Sequence, residues 1–295
     1  MSQSPIDLAE QALLRARGHE IRLNSDVTRY WSYKADSAGA KSLIMVHGYR
    51  GNHHGLEALA GALREFDVII PDLPGFGASD ELPGTHTVDS YAIWLRDFVS
   101  ALGINGAVVL GHSFGSIVTA AATADGGLKN DLILVNPVSR FDSRTDQQFL
   151  NLLVNTYYAL GNKLPKFWAN ALLRNGFFVR IMSEVLAKTK DSTLRNWIHA
   201  QHEQNFSDFS DRRVAVEGYH ASLSKSVVNF APHIPNRVLL IAGELDDITS
   251  IEDQQRAAQL FSNGELQVIP AVGHLIHYEA PESAAEIIED FIRGN

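Results

Sequence analysis

The stretch Ala107-Val108-Val109-Leu110-Gly111-His112-Ser113-Phe114-Gly115-Ser116 decides the fold. Its first four residues are small or β-forming and carry no charge, as in a strand buried on both faces of a parallel sheet. The residues beyond it, Ile117, Val118, Ala120, Ala121 and Ala122, suit a closely packed helix. Between strand and helix the chain must reverse within a few residues. Gly111 and Gly115 remove Cβ atoms where the two elements nearly touch, and Ser113 is left at a strained turn with its hydroxyl exposed. A helix starting there directs unpaired N–H groups at any negative charge that develops near Ser113.

Working outward, the same alternation recurs. Ser42-Leu43-Ile44-Met45-Val46 is a continuous apolar run ending at His47-Gly48, and a helical segment through Leu56, Leu59, Leu63 and Phe66 follows. Asp67-Val68-Ile69-Ile70 leads into Pro71-Asp72-Leu73-Pro74-Gly75-Phe76-Gly77-Ala78-Ser79. A helix from about Thr87 to Leu102 precedes the central stretch, and Leu132-Ile133-Leu134-Val135 follows its helix. Later come a strand at Arg237-Val238-Leu239-Leu240-Ile241-Ala242, a helix near Ile251 to Leu260, a strand at Leu266 to Ile269 and a last helix from Pro281 to Arg293. Strands alternating with helices predict an α/β fold: a mostly parallel sheet flanked by helices, with ligands at the carboxyl ends of the strands. His47, Asp72 and Ser113 all fall at such ends.

Two regions sit outside this alternation. At the start, Ser4 to Arg17 reads as a helix capped by Ser4, with Pro5 in its first turn and Gly18 stopping it. Two short strands, Glu20–Ser25 and Val27–Tyr33, follow around a polar turn at Asn24-Ser25-Asp26. The other region begins after Asn136-Pro137. Thirteen of the 26 Phe, Trp and Tyr residues fall between Val138 and Phe230, too many for a linker. Phe149, Leu152, Leu153, Tyr157 and Leu160 match one helical face there, and Phe177, Phe178, Ile181, Val185 and Leu186 match another. The expected organisation is therefore a core of residues 1–136 and 231–295 with a helical insertion over 137–230.

Composition narrows the function. Of 295 residues 45% are hydrophobic and 20% charged, which allows a sizeable soluble core. A net charge of −9 argues against a nucleic-acid partner. Without cysteine there is no disulfide, thiolate metal site or Cys nucleophile. No apolar run approaches the ~20 residues of a transmembrane helix. The N-terminus lacks a basic region followed by an apolar one, so the expected location is cytoplasmic. His53-His54 is read as two loop residues rather than metal ligands, because no carboxylate or cysteine stands at ligand spacing. No metal is expected.

Gly111-His112-Ser113-Phe114-Gly115, in its strand–turn–helix setting, resembles the nucleophile elbow of the α/β-hydrolase family, in the serine branch with a helical cap. Four further stretches resemble that family in the same order: His47-Gly48, Asp72-Leu73-Pro74-Gly75-Phe76-Gly77-Ala78-Ser79, Gly243-Glu244-Leu245-Asp246-Asp247-Ile248 and Val272-Gly273-His274. The resemblance covers roughly residues 20–136 and 231–295. It implies Ser113 as nucleophile, His274 as the base that takes its proton, and Asp246 as the acid that orients His274. Glu244, Asp247 and the more distant Asp142 compete for the acid's role, and His277 competes with His274. The backbone N–H groups of Tyr49 and Phe114 are the expected oxyanion donors. Gly48, Arg50 and His112 are expected to touch substrate. The Asp72–Ser79 segment is read as mainly structural.

The resemblance implies no cofactor and a small-molecule ester or related acyl substrate. The aromatic insertion points to an apolar group on it. Carboxylic-ester hydrolysis through an acyl-enzyme on Ser113 needs only the parts identified. Carbon–carbon bond hydrolysis of the meta-cleavage-product type, cofactor-free haloperoxidase or perhydrolase chemistry and a non-catalytic ligand receptor are the alternatives. The carbon–carbon enzymes often carry a glycine where this chain has Ser116. Oligomeric state stays open.

Overall fold

The computed structural model describes residues 3–104, 106–141 and 148–294. Its centre is one eight-stranded sheet in the order β1-β2-β4-β3-β5-β6-β7-β8. The strands are β1 (Ala16–Leu23), β2 (Asp26–Tyr33), β3 (Ser42–Val46), β4 (Asp67–Pro71), β5 (Val108–His112), β6 (Leu132–Val135), β7 (Arg237–Gly243) and β8 (Asn263–Ile269). β1 and β2 pair antiparallel, as do β2 and β4, and the remaining pairs are parallel.

The uninterrupted apolar runs of β3, β5 and β6 are explained by cover on both faces. Leu43 and Met45 pack with Ala12, Leu59 and Ile288 on one side, so α1 (Pro5–Arg15), α2 (Glu57–Ala62) and α12 (Pro281–Arg293) share that face. Ile44 and Val46 pack on the other side with Leu95 and Phe98 of α3 (Val88–Leu102) and Ile117 and Val118 of α4 (Phe114–Thr123). Each fully buried Leu or Ile of this kind contributes about 1.5–3 kcal/mol.

Several sequence expectations shift. α1 stops at Arg15, not at Gly18, and β1 begins at Ala16 directly after it. Gly18 lies in that strand opposite Trp31. An eight-residue ladder to β2 outweighs the local stop signal, and Asn24 takes φ 55° in the two-residue turn that closes it. α2 is shorter than its apolar spacing predicts: it stops at Ala62, leaving Leu63 as its C-cap and Phe66 beyond it, and a 3₁₀ turn at His53–Leu56 holds Leu56.

Between β6 and β7 the described residues form α5 (Gln148–Lys163), α6 (Lys166–Leu173), α7 (Gly176–Leu186), α8 (Ser192–Asn205) and α9 (Arg212–Ser224). Their apolar faces are not the predicted ones. Tyr157 is buried, but Leu160, Phe177, Ile181 and Val185 are exposed, and Val179, Ser183 and Leu173 turn inward instead. The apolar residues of α7 cover a sector wider than the one it buries, with Arg180, Ser183 and Glu184 on the rest, and packing turns Val179 and Ser183 inward. The side chains of Phe149, Leu152 and Leu153 lie outside the described residues.

After β7 come α10 (Ile251–Ala258), β8, the single turn α11 (Ile276–Glu279) and α12. Among the described residues no helix is long and apolar enough to cross a membrane.

Candidate active site

Ser113 stands between β5 and α4 at φ 53°, ψ −119°. A non-glycine residue there is strained by about 1–3 kcal/mol, and the neighbouring glycines make the turn feasible. A Cβ on Gly115 would lie 2.3 Å from the Val46 carbonyl oxygen, and one on Gly111 would lie 2.4 Å from that of Gly115. The Ser113 N–H donates to the Val135 carbonyl (3.1 Å), which ties the turn to β6.

The loop after β8 brings His274 to this hydroxyl. Nε2 of His274 lies 2.8 Å from Ser113 Oγ, and its Nδ1 lies 2.9 Å from Asp246 Oδ2. Asp246, in the loop after β7, accepts through Oδ1 from the Ile248 N–H at 2.8 Å. Its carboxylate is acceptor-only when ionised, so His274 donates from Nδ1 and accepts the serine proton at Nε2. The side chains of Asp246 and His274 are almost wholly shielded from water.

The competing acids are occupied elsewhere. Glu244 accepts from the Ala271 N–H at 2.8 Å, and Asp247 pairs with Lys188. Asp142 lies outside the described residues. Asn136, at the position after β6, donates to the Gly273 carbonyl (3.1 Å) and accepts from the Gly243 N–H (2.8 Å), bracing both loops. His277 makes no hydrogen bond among the described residues. Its ring lies tilted against that of His112, with centroids 4.1 Å apart.

On the β3 side, His47 is held in one tautomer. Its Nε2 accepts from the Leu73 N–H at 2.9 Å, so its Nδ1 is the proton-bearing nitrogen facing the Gly48 carbonyl at 2.8 Å. Burial lowers its pKa and keeps it neutral. The loop this shapes puts Gly48 against Ser113: a Cβ there would lie 3.2 Å from the serine Cβ. Among the described residues neither the Tyr49 nor the Phe114 backbone N–H has a protein acceptor. The Asp72 segment holds the next loop. Its carboxylate accepts from the N–H groups of His53 (2.8 Å) and Ala78 (2.9 Å).

A cavity of about 210 Å³ opens beside Ser113 and His274. Gly48, Tyr49 and His112 line it, together with Met182, Leu186, Phe206 and Leu223 from the inserted helices. His112 also gives its Nε2 proton to the His274 carbonyl, 3.2 Å away.

Arg50 is a correction. Its side chain does not line the cavity; it is 1% exposed and runs between the sheet and the inserted helices. Nε donates to the Phe206 carbonyl (2.8 Å), Nη2 to that of Leu173 (2.6 Å), and Nη1 approaches the hydroxyls of Tyr157 and Tyr158. Its backbone takes a positive φ of 63°.

The profile of the alpha/beta hydrolase fold matches residues 41–281. The chain belongs to the α/β-hydrolase family. Among curated relatives, an uncharacterized hydrolase, YugF, of Bacillus subtilis is 23% identical over 86% of this chain and 91% of its own. A putative carbamate hydrolase, RutD, of Caulobacter segnis is 26% identical over 87% and 93%. Among solved structures, a thermophilic esterase from Thermogutta terrifontis superposes with TM-score 0.73 at 22% identity, covering 95% of this chain and 99% of that one. At that identity the superposition speaks for the α/β-hydrolase fold.

Three features of this α/β hydrolase were missed in its sequence. Glu279 accepts from the N–H groups of Lys188 (2.6 Å), Thr189 (2.7 Å) and Gly273 (3.2 Å), joining the end of α7 to the His274 turn. Arg140 lines the cavity. His53, His54 and Glu57 place one ligand atom each within 4.8 Å of one another, so the two histidines are not mere loop residues. The 3₁₀ turn brings their rings to 3.9 Å, and Glu57, three residues on from His54, accepts its Nδ1 proton at 3.0 Å. The Glu57 bond raises the His54 pKa. Only the spacing of His54 and Glu57 could have signalled this cluster.

Proposed function

We propose that this protein is a serine carboxylesterase working through an acyl-enzyme on Ser113. One observation carries the reading: an unbroken hydrogen-bonded line from Asp246 through His274 to a serine hydroxyl on a strained turn. His274 Nε2 takes the proton as Ser113 Oγ attacks the ester carbonyl carbon. The tetrahedral oxyanion accepts from the Tyr49 and Phe114 N–H groups, at the positive end of α4. Collapse breaks the C–O bond, and His274 returns the proton to the departing alcohol. Water then repeats the sequence on the acyl-enzyme. Asp246 holds the tautomer and stabilises the imidazolium.

Residues 137–230 act in this reading as a cap over the site. Met182, Leu186, Phe206, Leu223, Ile248 and Leu275 give the cavity an apolar wall, which favours an apolar acyl or alcohol group.

Hydrolysis of p-nitrophenyl esters of increasing acyl length, by the wild type and by Ser113→Ala, tests the reading. Turnover abolished by the substitution is expected, with a preference beyond acetate. No turnover by folded wild type would favour carbon–carbon hydrolysis or a receptor. Turnover surviving in Ser113→Ala would remove Ser113 as nucleophile.

A further inference from the structure

Arg140 belongs to the cavity, yet ester cleavage leaves it without a role. It follows β6 on a segment held in place at every step. Val138 N–H donates to Ser116 Oγ (3.2 Å), Ser139 N–H to Thr249 Oγ1 (3.3 Å) and Ser139 Oγ to Gln254 Oε1 (2.9 Å). The Arg140 carbonyl accepts from the Ser226 hydroxyl at 3.2 Å. The guanidinium is oriented at the end of α9, where Nη2 donates to the carbonyls of Ser222 (2.9 Å) and Lys225 (3.3 Å).

Both acceptors are neutral. Among the described residues Nη1 and Nε make no hydrogen bond, and no carboxylate pairs with Arg140. Nor does any Asp, Glu or Lys line the cavity, so among its lining residues Arg140 carries the permanent charge. A half-buried cation without a counter-ion is unfavourable, and a neighbouring phenol, Tyr219, does not neutralise it. In a chain of net charge −9 the lack of an acid among the described lining residues is distinctive.

We infer that Arg140 binds a carboxylate borne by the substrate, so that the ester presented to Ser113 carries an acidic end. The inference rests on the ester reading above. A single fixed charge in a small cavity whose other lining residues carry no permanent charge matches a carboxylate monoanion better than a phosphate dianion. The entering carboxylate would gain a charge-assisted hydrogen bond while the Ser222 and Lys225 carbonyls hold the guanidinium in place.

The test compares kcat/KM for mono-p-nitrophenyl glutarate and p-nitrophenyl hexanoate, of similar length, in the wild type, Arg140→Gln and Arg140→Lys. The glutarate-to-hexanoate ratio should fall about 10- to 100-fold in Arg140→Gln, chiefly through KM of the acidic ester. Arg140→Lys should recover part of it. If both esters are cleaved and the ratio is unchanged, the inference is overturned while the ester reading stands. If folded wild type cleaves neither, the ester reading fails instead. Calorimetric titration of Ser113→Ala with monomethyl glutarate then decides: binding that disappears on adding Arg140→Gln supports the carboxylate site, and no binding overturns it. Should Arg140→Gln not fold, inhibition of the wild type decides in its place. Hexanoate should inhibit at least about tenfold more strongly than hexanol, as expected for one charged hydrogen bond, and equal inhibition would refute the site.

Discussion

Ser113, His274 and Asp246 come from three loops that lie far apart in the sequence, and each depends on a neighbour for its geometry. Asp246 can only accept, so it dictates which nitrogen of His274 carries the proton. Asp246→Asn puts an amide at that position and can present an N–H to Nδ1, reversing the tautomer. Its kcat should fall about 10³- to 10⁴-fold with little change in fold, measured by ester turnover beside circular dichroism. Gly115 tests the turn itself. Its missing Cβ is the space that the Val46 and His47 carbonyls occupy. Gly115→Ala should destabilise by about 1–3 kcal/mol or more, seen as a lower urea midpoint. The motif residues were legible because glycine at a close approach and serine at a strained turn leave a chemical signature in the sequence. Arg140 was not, since an arginine after a strand has no such signature until the cavity around it exists.

At the scale of elements, the joint between the sheet and the inserted helices decides the shape of the cavity. Arg50 on the β3 side and Glu279 at the end of α11 each bind backbone groups of that insertion. Arg50→Ala would strand the Phe206 carbonyl, while the Leu173 carbonyl keeps the Tyr157 hydroxyl at 2.9 Å. At about 1–3 kcal/mol for an unsatisfied group, a loss of about 1–3 kcal/mol is expected in urea unfolding. If stability changed by less than the error, the joint would owe nothing to Arg50. The alternation of strands and helices could be read in advance because each strand's apolar run and each helix's spacing are local. The buried side of α7 could not, since its apolar residues span more of the helix than its neighbours cover, and those neighbours bury Val179 and Ser183 while leaving Phe177 and Ile181 exposed.

Over the whole molecule, buried neutral histidines set the response to acid. Burial lowers the pKa of His112 to about 3, with the nearby His274 adding to it, and that of His202 to about 3, aided by His199. His86 falls to about 4 through burial and Arg213, and burial takes His277 well below its usual value. In the unfolded chain each would titrate near 6.5. Below that pH the unfolded state binds more protons, so stability is full above about 6.5 and declines as pH falls toward 3–4. Urea midpoints at pH 7.5, 5.5 and 4.5 should fall in that order. His202→Leu should flatten the decline by up to about 1.4 kcal/mol per pH unit. Equal midpoints at pH 7.5 and 4.5 would show that these rings are not held neutral.

The sequence by itself determined the α/β architecture, the order of its parallel strands along the chain and the residue types that end them, because these depend on periodicity and on turn chemistry within a few positions. It also picked out the serine, histidine and aspartate that meet at the strand ends. Where Arg50 points, which side of α7 is buried, how His53, His54 and Glu57 cluster and what lines the cavity were decided only in the tertiary structure. Those outcomes depend on contacts between segments far apart in the chain, where long side chains such as arginine have many reachable partners and packing selects one.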